Sequence, residues 1–203
     1  LFTDETIRYR DDAADPEFAD RDELCRRLAG RLRIYGACDP SLGRRGGGGA
    51  GGKGDYAAII TVALDPETKR IYVIGAVIAR LKPNEIIERI IDLTGAFNYE
   101  AFHVESNQFQ EVLIDQLETR LRAACRYTRI KRVEHTRHKQ ARIQALEPLI
   151  ARGQLRFSRR HGQLLEQLRR FPRGAHDDGP DALEMAVSAA MNSGPSCTVV
   201  RGA

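Results

Sequence analysis

Apolar positions along this chain first come in short runs rich in Ile, Val and Ala, then in stretches of helical period. The early runs predict three strands, over 33–39, 55–64 and 70–80. The second and third are joined through Asp65-Pro66-Glu67-Thr68, a hairpin signal. The pattern then predicts helix 83–96, strand 100–105, helix 108–123, strand 129–134, helix 137–149, a short strand 154–157, helix 161–171 and helix 180–192. Three strands followed by alternating helices and strands fit an α/β fold, a mixed sheet with helices on both faces. The strands are Ile/Val/Ala-rich, as buried strands are, and no internal repeat interrupts the order.

Candidate chemistry concentrates at the ends of these elements. In His176-Asp177-Asp178-Gly179-Pro180-Asp181-Ala182-Leu183-Glu184, Pro180 suits a first helical turn and the run to Met191 is apolar enough to be buried. Asp178 and Asp181 are therefore three apart across a helix start, where residues share a side and the helix dipole favours their ionised form. Acids at such a position ordinarily cap the helix. Two further acids change the reading: Asp39 closes the first strand ahead of Pro40, and Glu105 closes Ala101-Phe102-His103-Val104. A single strand-end acid is usually a turn residue. Two strand ends and a helix start, far apart in sequence, are how a fold assembles a site for a hard cation such as Mg²⁺, which takes oxygen ligands and keeps several waters. Two such ions about 3.5–4 Å apart activate water and stabilise the departing oxygen of a phosphodiester.

Taken in order, Ala37-Cys38-Asp39-Pro40-Ser41-Leu42-Gly43, Lys53-Gly54-Asp55-Tyr56-Ala57-Ala58-Ile59, Val104-Glu105-Ser106-Asn107 and His176 to Leu183 resemble the C-terminal nuclease domain of a tailed-phage or prophage terminase large subunit. That family belongs to the RNase H-like superfamily, which also holds the Holliday-junction resolvases. Lys139-Gln140-Ala141-Arg142-Ile143, leading to Pro148, and Gly153-Gln154-Leu155-Arg156-Phe157 carry the likeness further, so that it spans about residues 33 to 192. The resemblance implies an RNase H-like mixed sheet, antiparallel in its first three strands and parallel thereafter. It implies a metal-dependent endonuclease that cuts concatemeric double-stranded viral DNA during packaging, with two divalent cations, Mg²⁺ or Mn²⁺. Asp39, Glu105 and Asp178 match the catalytic triad, Asp181 an additional acid seen in resolvases, and Asp177 one of the family's paired aspartates, able to ligate or to orient a ligand. Expected partners are the terminase ATPase domain, the small terminase subunit and the portal, in the cytoplasm of a bacterial host.

Composition fits this picture. The net charge of +4 hides an asymmetry: Arg120 to Arg173 holds sixteen Lys or Arg against three acids, whereas residues 1 to 28 hold nine acids against five arginines. Arginine-rich stretches beside an acidic metal site suit phosphate contact, and sparse aromatics (6%) argue for duplex backbone over stacked single strands. Arg137, Lys139 and Arg142, neighbours on a predicted helix, are candidate DNA contacts. The glycine-rich segment 46–54 spells a phosphate-loop pattern, but Gly54 replaces its Ser or Thr and a strand, not a helix, follows. It reads as a flexible loop, able to touch DNA through Arg44, Arg45 and Lys53.

No apolar run approaches the roughly 20 residues that span a bilayer, so no membrane partner is expected. Cys25, Cys38, Cys125 and Cys197 form no metal-binding pair and read as free thiols. The start at Leu1 and the acidic opening suggest a piece of a longer protein: a lead-in or linker over 1–32 from an ATPase domain, a nuclease domain over 33–192 and a tail over 193–203. Two other readings share the sequence. A junction resolvase would prefer four-way junctions to linear duplex, and a non-catalytic DNA- or partner-docking module would carry structural acids and bind no metal.

Overall fold

Strand alternation here feeds two cores rather than one core and one wet surface. Along Ala57–Leu64 every side chain is buried. Ala58, Ile60 and Val62 enter one core, and Ala57, Ile59 and Ala63 the other. A strand covered on both faces must be apolar throughout, which is why this run reads as continuous Ile, Val and Ala.

The computed structural model describes residues 1–12, 15–16, 21–40, 56–106, 110–136 and 138–193. Its elements are β1 (Arg8–Tyr9), β2 (Asp11–Asp12), β3 (Asp15–Pro16), α1 (Arg21–Arg27), β4 (Arg33–Asp39), β5 (Ala57–Leu64), β6 (Ile71–Ala79), α2 (Pro83–Ala96), β7 (Tyr99–Glu105) and α3 (Glu111–Ala123). They continue with β8 (Ile130–Val133), α4 (Lys139–Gln144), α5 (Glu147–Ala151), β9 (Leu155–Phe157), α6 (Gly162–Arg170) and α7 (Asp178–Met191). The main sheet has the order β1-β9-β6-β5-β4-β7-β8. β4, β5 and β6 pair antiparallel, while β7 joins β4, and β8 joins β7, in parallel. This is the mixed RNase H-like sheet expected from the sequence. The core on one face holds α7 and α6 with Ile143 and Ile150; the other holds Leu24, α2 and α3.

Most boundaries fall within a residue or two of the sequence pattern, and three differences have physical causes. The helix expected over 137–149 is two short helices, since Pro148 has no N–H to bond back to Gln144 and instead opens α5. α7 begins at Asp178 rather than 180, because Asp181 N–H already donates to the Asp177 carbonyl at 3.0 Å. Before residue 33, Phe2, Ile7, Tyr9 and Leu24 are all buried, and β1 adds a parallel edge strand to β9. The packed unit therefore starts well before residue 33.

Arg31 ties that opening stretch to the β5–β6 turn. Its guanidinium donates to Asp65, which is 1% exposed, and reaches Glu67 at 2.6 Å. Burial pushes the Asp65 carboxyl up, but hydrogen bonds from Arg31, the Thr68 hydroxyl and the Glu67 N–H outweigh it and hold the group below its ordinary value. A depressed carboxyl contributes stability above its unfolded pKa and loses it as pH falls through the folded one.

Close approach fixes the β4–β7 pair. Gly36 lies opposite Phe102, and a Cβ there would come within 2.3 Å of the Phe102 ring and 2.9 Å of Tyr99. Tyr99 is itself pinned by a 2.8 Å hydrogen bond to Thr61 Oγ1 and by edge-on packing with Phe102, and burial lifts its phenol to about 12. The rings have nowhere to go.

Gly36→Ala should therefore lower stability by about 1–3 kcal/mol in urea unfolding, the usual range for overpacking, and Phe102→Leu in the same chain should recover part of the loss. Arg31→Ala should destabilise at pH 7 in urea unfolding, because it removes the guanidinium that hydrogen-bonds the buried Asp65. That difference should shrink as pH falls below the unfolded carboxyl value of 3.8; a pH-independent difference would show that the Asp65 contact is not its source.

Candidate metal centre

Parallel pairing of β4 and β7 sets the first two acids side by side. Cys38 faces Val104 in the register, so Asp39 and Glu105 follow together at the C-terminal ends of adjacent strands. Both alternate with Ala37 and Ala101 onto the α7 side of the sheet. The third acid arrives with α7. Gly179 lets that helix start close in: its N–H donates to Gln167 Oε1 at 2.8 Å, and a Cβ would sit 2.6 Å from Ile78. Pressed against β6 and α6, the first turn aims Asp181 at the two strand ends.

One carboxylate oxygen each from Asp39, Glu105 and Asp181 lies within 4.8 Å of the others. Asp39 is 3% and Asp181 1% exposed. Like charges so placed repel one another strongly unless cations offset them. Lys139, the first residue of α4, does part of this: its Nζ is 2.8 Å from Asp177, 3.4 Å from Asp181, 3.8 Å from Asp39 and 4.0 Å from Asp178. Burial disfavours the charged ammonium, but the Asp177 hydrogen bond and the surrounding carboxylates prevail and raise its pKa above the ordinary value.

Arg142, one helical turn further along, serves Asp181 from the other side. Its Nη2 donates to Asp181 Oδ2 at 3.2 Å, and its Nη1 lies 2.6 Å from Asp181 Oδ1, 3.3 Å from Glu184 and 3.0 Å from His135 Nε2. Burial and the Arg142 charge lower the pKa of His135, which suits a neutral ring accepting from the guanidinium. Ser188 donates to the other Glu184 oxygen at 2.6 Å. Asp181 Oδ1 is buried against the Arg142 guanidinium at 2.6 Å. Carboxylate oxygens gathered from Asp39, Glu105 and Asp181 fit a hard cation. Cys38 does not take part: its side chain joins the opposite core, where burial, and then the charges of Asp39 and Glu105, push the thiol well above its ordinary value.

The tight trio thus contains Asp181 rather than Asp178, the acid expected to complete the triad. Asp178 is 8% exposed beside it, and Asp177 lies further out with its side chain 38% exposed. His176 packs edge-on against Tyr56 and comes 4.0 Å from Asp178. Of the expected DNA contacts, Arg142 is buried and engaged by carboxylates, and Lys139 lies inside the acidic cluster. Arg44, Arg45, Lys53 and Arg137 lie outside the described residues. Sequence reading passed over Glu184 and His135, although Glu184 follows Asp181 at the three-residue spacing that shares a helix face.

A mixed sheet with acids at the ends of its central parallel strands and a third on the crossing helix defines an RNase H-like nuclease fold. The chain belongs to the family of terminase RNaseH-like domains, whose model matches residues 37–190. Among solved structures, the human cytomegalovirus terminase nuclease domain is similar at a TM-score of 0.64 and 16% identity, over 93% of this chain and 94% of that one. A manganese-soaked form of that domain gives 0.58 and 15%, over 92% and 93%. The nuclease domain of the large terminase subunit of bacterial virus Sf6, with manganese, gives 0.53 and 10%, over 80% of this chain and 92% of that one. No curated protein matches the chain. No helix among the described residues is long and apolar enough to cross a membrane.

Replacing Lys139 with Met should lower the melting temperature at pH 7 in EDTA, because four carboxylates lose their shared cation. The loss should diminish when millimolar Mg²⁺ replaces EDTA, because an added cation offsets the same repulsion. Equal losses in EDTA and in Mg²⁺ would mean that Lys139 acts through packing alone.

Proposed function

We propose that this chain is a divalent-metal-dependent endonuclease that hydrolyses phosphodiester bonds in double-stranded DNA. The observation that carries this reading is the convergence of Asp39, Glu105 and Asp181 within 4.8 Å from three elements remote in sequence. These three would hold the metal, with Asp178 and Asp177 at its margin as further ligands or orienting groups. Bound there, a pair of Mg²⁺ or Mn²⁺ ions supplies Lewis acidity toward the phosphate and an activated water.

The protein's own residues set the conditions for that chemistry. Lys139 neutralises part of the cluster when metal is scarce. Arg142 fixes the orientation of Asp181, and Glu184 with Ser188 fixes Arg142. As the biological setting we propose concatemeric viral DNA as substrate, cut during packaging in a bacterial host, beside the terminase ATPase part, the small subunit and the portal; membership in the terminase RNaseH-like family supports this reading. Duplex backbone contact falls to basic side chains, with Arg44, Arg45, Lys53 and Arg137, which lie outside the described residues, as candidates.

Supercoiled plasmid incubated with the protein in Mn²⁺ or Mg²⁺ should be nicked and linearised without sequence preference, and EDTA should stop it. Asp39→Asn, Glu105→Gln and Asp181→Asn should each reduce cleavage by at least 100-fold, with Asp178→Asn milder if Asp181 belongs to the inner set. Millimolar metal should raise the melting temperature of the wild type, since a ligand of the folded state stabilises it. DNA binding without cutting under any metal, together with unchanged melting, would sink the enzyme reading in favour of a docking module.

A further inference from the structure

Beside the carboxylates the molecule opens into a cleft of about 620 Å³ between α4 and α7 on one side and β4, β7 and β8 on the other. Arg142 and His135 close its upper end, so it begins one guanidinium away from Asp181. Strand alternation sorts the basic side chains of β8. Arg132 turns to the α3 face, where Asp115 and Glu118 hold it at 2.7 and 3.0 Å. Arg129 and Lys131 line the cleft, are exposed, and have no carboxylate partner among the described residues.

The acids of the cleft do not cancel them. Glu184 is already taken by Arg142 and Ser188, and Glu100, at the Arg129 end, forms no ion pair with either cation among the described residues. His103 lies opposite Lys131 in the β7–β8 register. Its imidazole lines the cleft as a further polar group. The cleft therefore offers two cations without a carboxylate partner among the described residues, beside the acidic centre.

We infer that this cleft takes the phosphate backbone of the DNA strand being cut, with Lys131 and Arg129 contacting phosphates displaced from the scissile one. The inference rests on the nuclease reading and supplies it with a substrate track. The register fixes the offset. Lys131 and Arg129 precede Val133, the partner of Glu105, by two and four residues, which at ~3.3 Å per residue is about 7 and 13 Å along the strand. One DNA strand advances about 3.4 Å per nucleotide along its axis, so the contacts fall roughly two and four nucleotides from the cut. The carboxylates repel phosphate, and a flanking cationic track is what holds a polyanion against them.

The test measures duplex binding in EDTA across salt concentrations, and cleavage in Mn²⁺, for the wild type, Arg129→Gln/Lys131→Gln, Lys131→Arg and Arg132→Gln. The double variant should bind several-fold more weakly near 0.1 M salt. Its plot of log affinity against log salt should be shallower by about 1.8, from two lost phosphate contacts. Its cleavage should show raised KM with kcat within about twofold. Lys131→Arg should keep wild-type binding, and Arg132→Gln, on the opposite face, should keep the wild-type salt slope. A double variant with unchanged slope and KM, in a preparation whose wild type binds and cuts, overturns the track alone. A wild type that neither binds nor cuts duplex overturns the nuclease reading and the track with it. Unfolding midpoints guard against misfolding, and the arginine rescue separates charge from packing.

Discussion

Carboxylates of like sign, crowded into a half-dry cleft, are the constraint around which this fold is arranged. Asp39 and Glu105 sit side by side because parallel strands pair there, and Asp181 is driven toward them by a helix that packs flush against β6 and α6. Left alone, the three would spread or take up protons. Two internal cations answer this from one short helix, α4, with Lys139 shared among four aspartates and Arg142 bracing Asp181. The break in the helix after Gln144 leaves α4 a short element that carries both cations and is anchored in the core by Ile143.

Much of the architecture could be read from the sequence because its strands are buried on both faces and its helices carry a regular apolar stripe. α2 is the clearest case: Pro83 opens it, Glu85 accepts from the Lys82 N–H, and Ile86, Ile87 and Ile90 recur on one side. The opening 32 residues were harder. Phe2, Ile7 and Tyr9 are scattered apolar positions among acids, without a period, and only tertiary pairing with β9 and Phe171 gives them a place.

The candidate site was legible as a set of acids but not in its inner geometry. Asp178 and Asp181 stand equally well at a helix start on paper. The choice between them depends on the helix beginning at Asp178 and on its roll against Ile78 and Gln167, which composition does not encode. Lys139 and Arg142 were read as DNA contacts from the charge of their stretch. Burial and carboxylate neighbours, both long-range facts, turn them inward. Arg129 and Lys131 lie in the same stretch, where strand alternation leaves them facing the cleft.

The spacing of the three acids along the chain also bears on biosynthesis. Residues 39, 105 and 181 lie on separate elements, and no local fragment contains more than one of the trio. Chains emerge from a ribosome at about 5–20 residues per second, so on the order of ten seconds separates the first acid from the last. Through that interval Asp39 and Glu105 can be in place on the sheet while the cluster has no third member. Any chemistry that needs all three is silent in a nascent chain, and starts only once α7 has docked across the finished sheet.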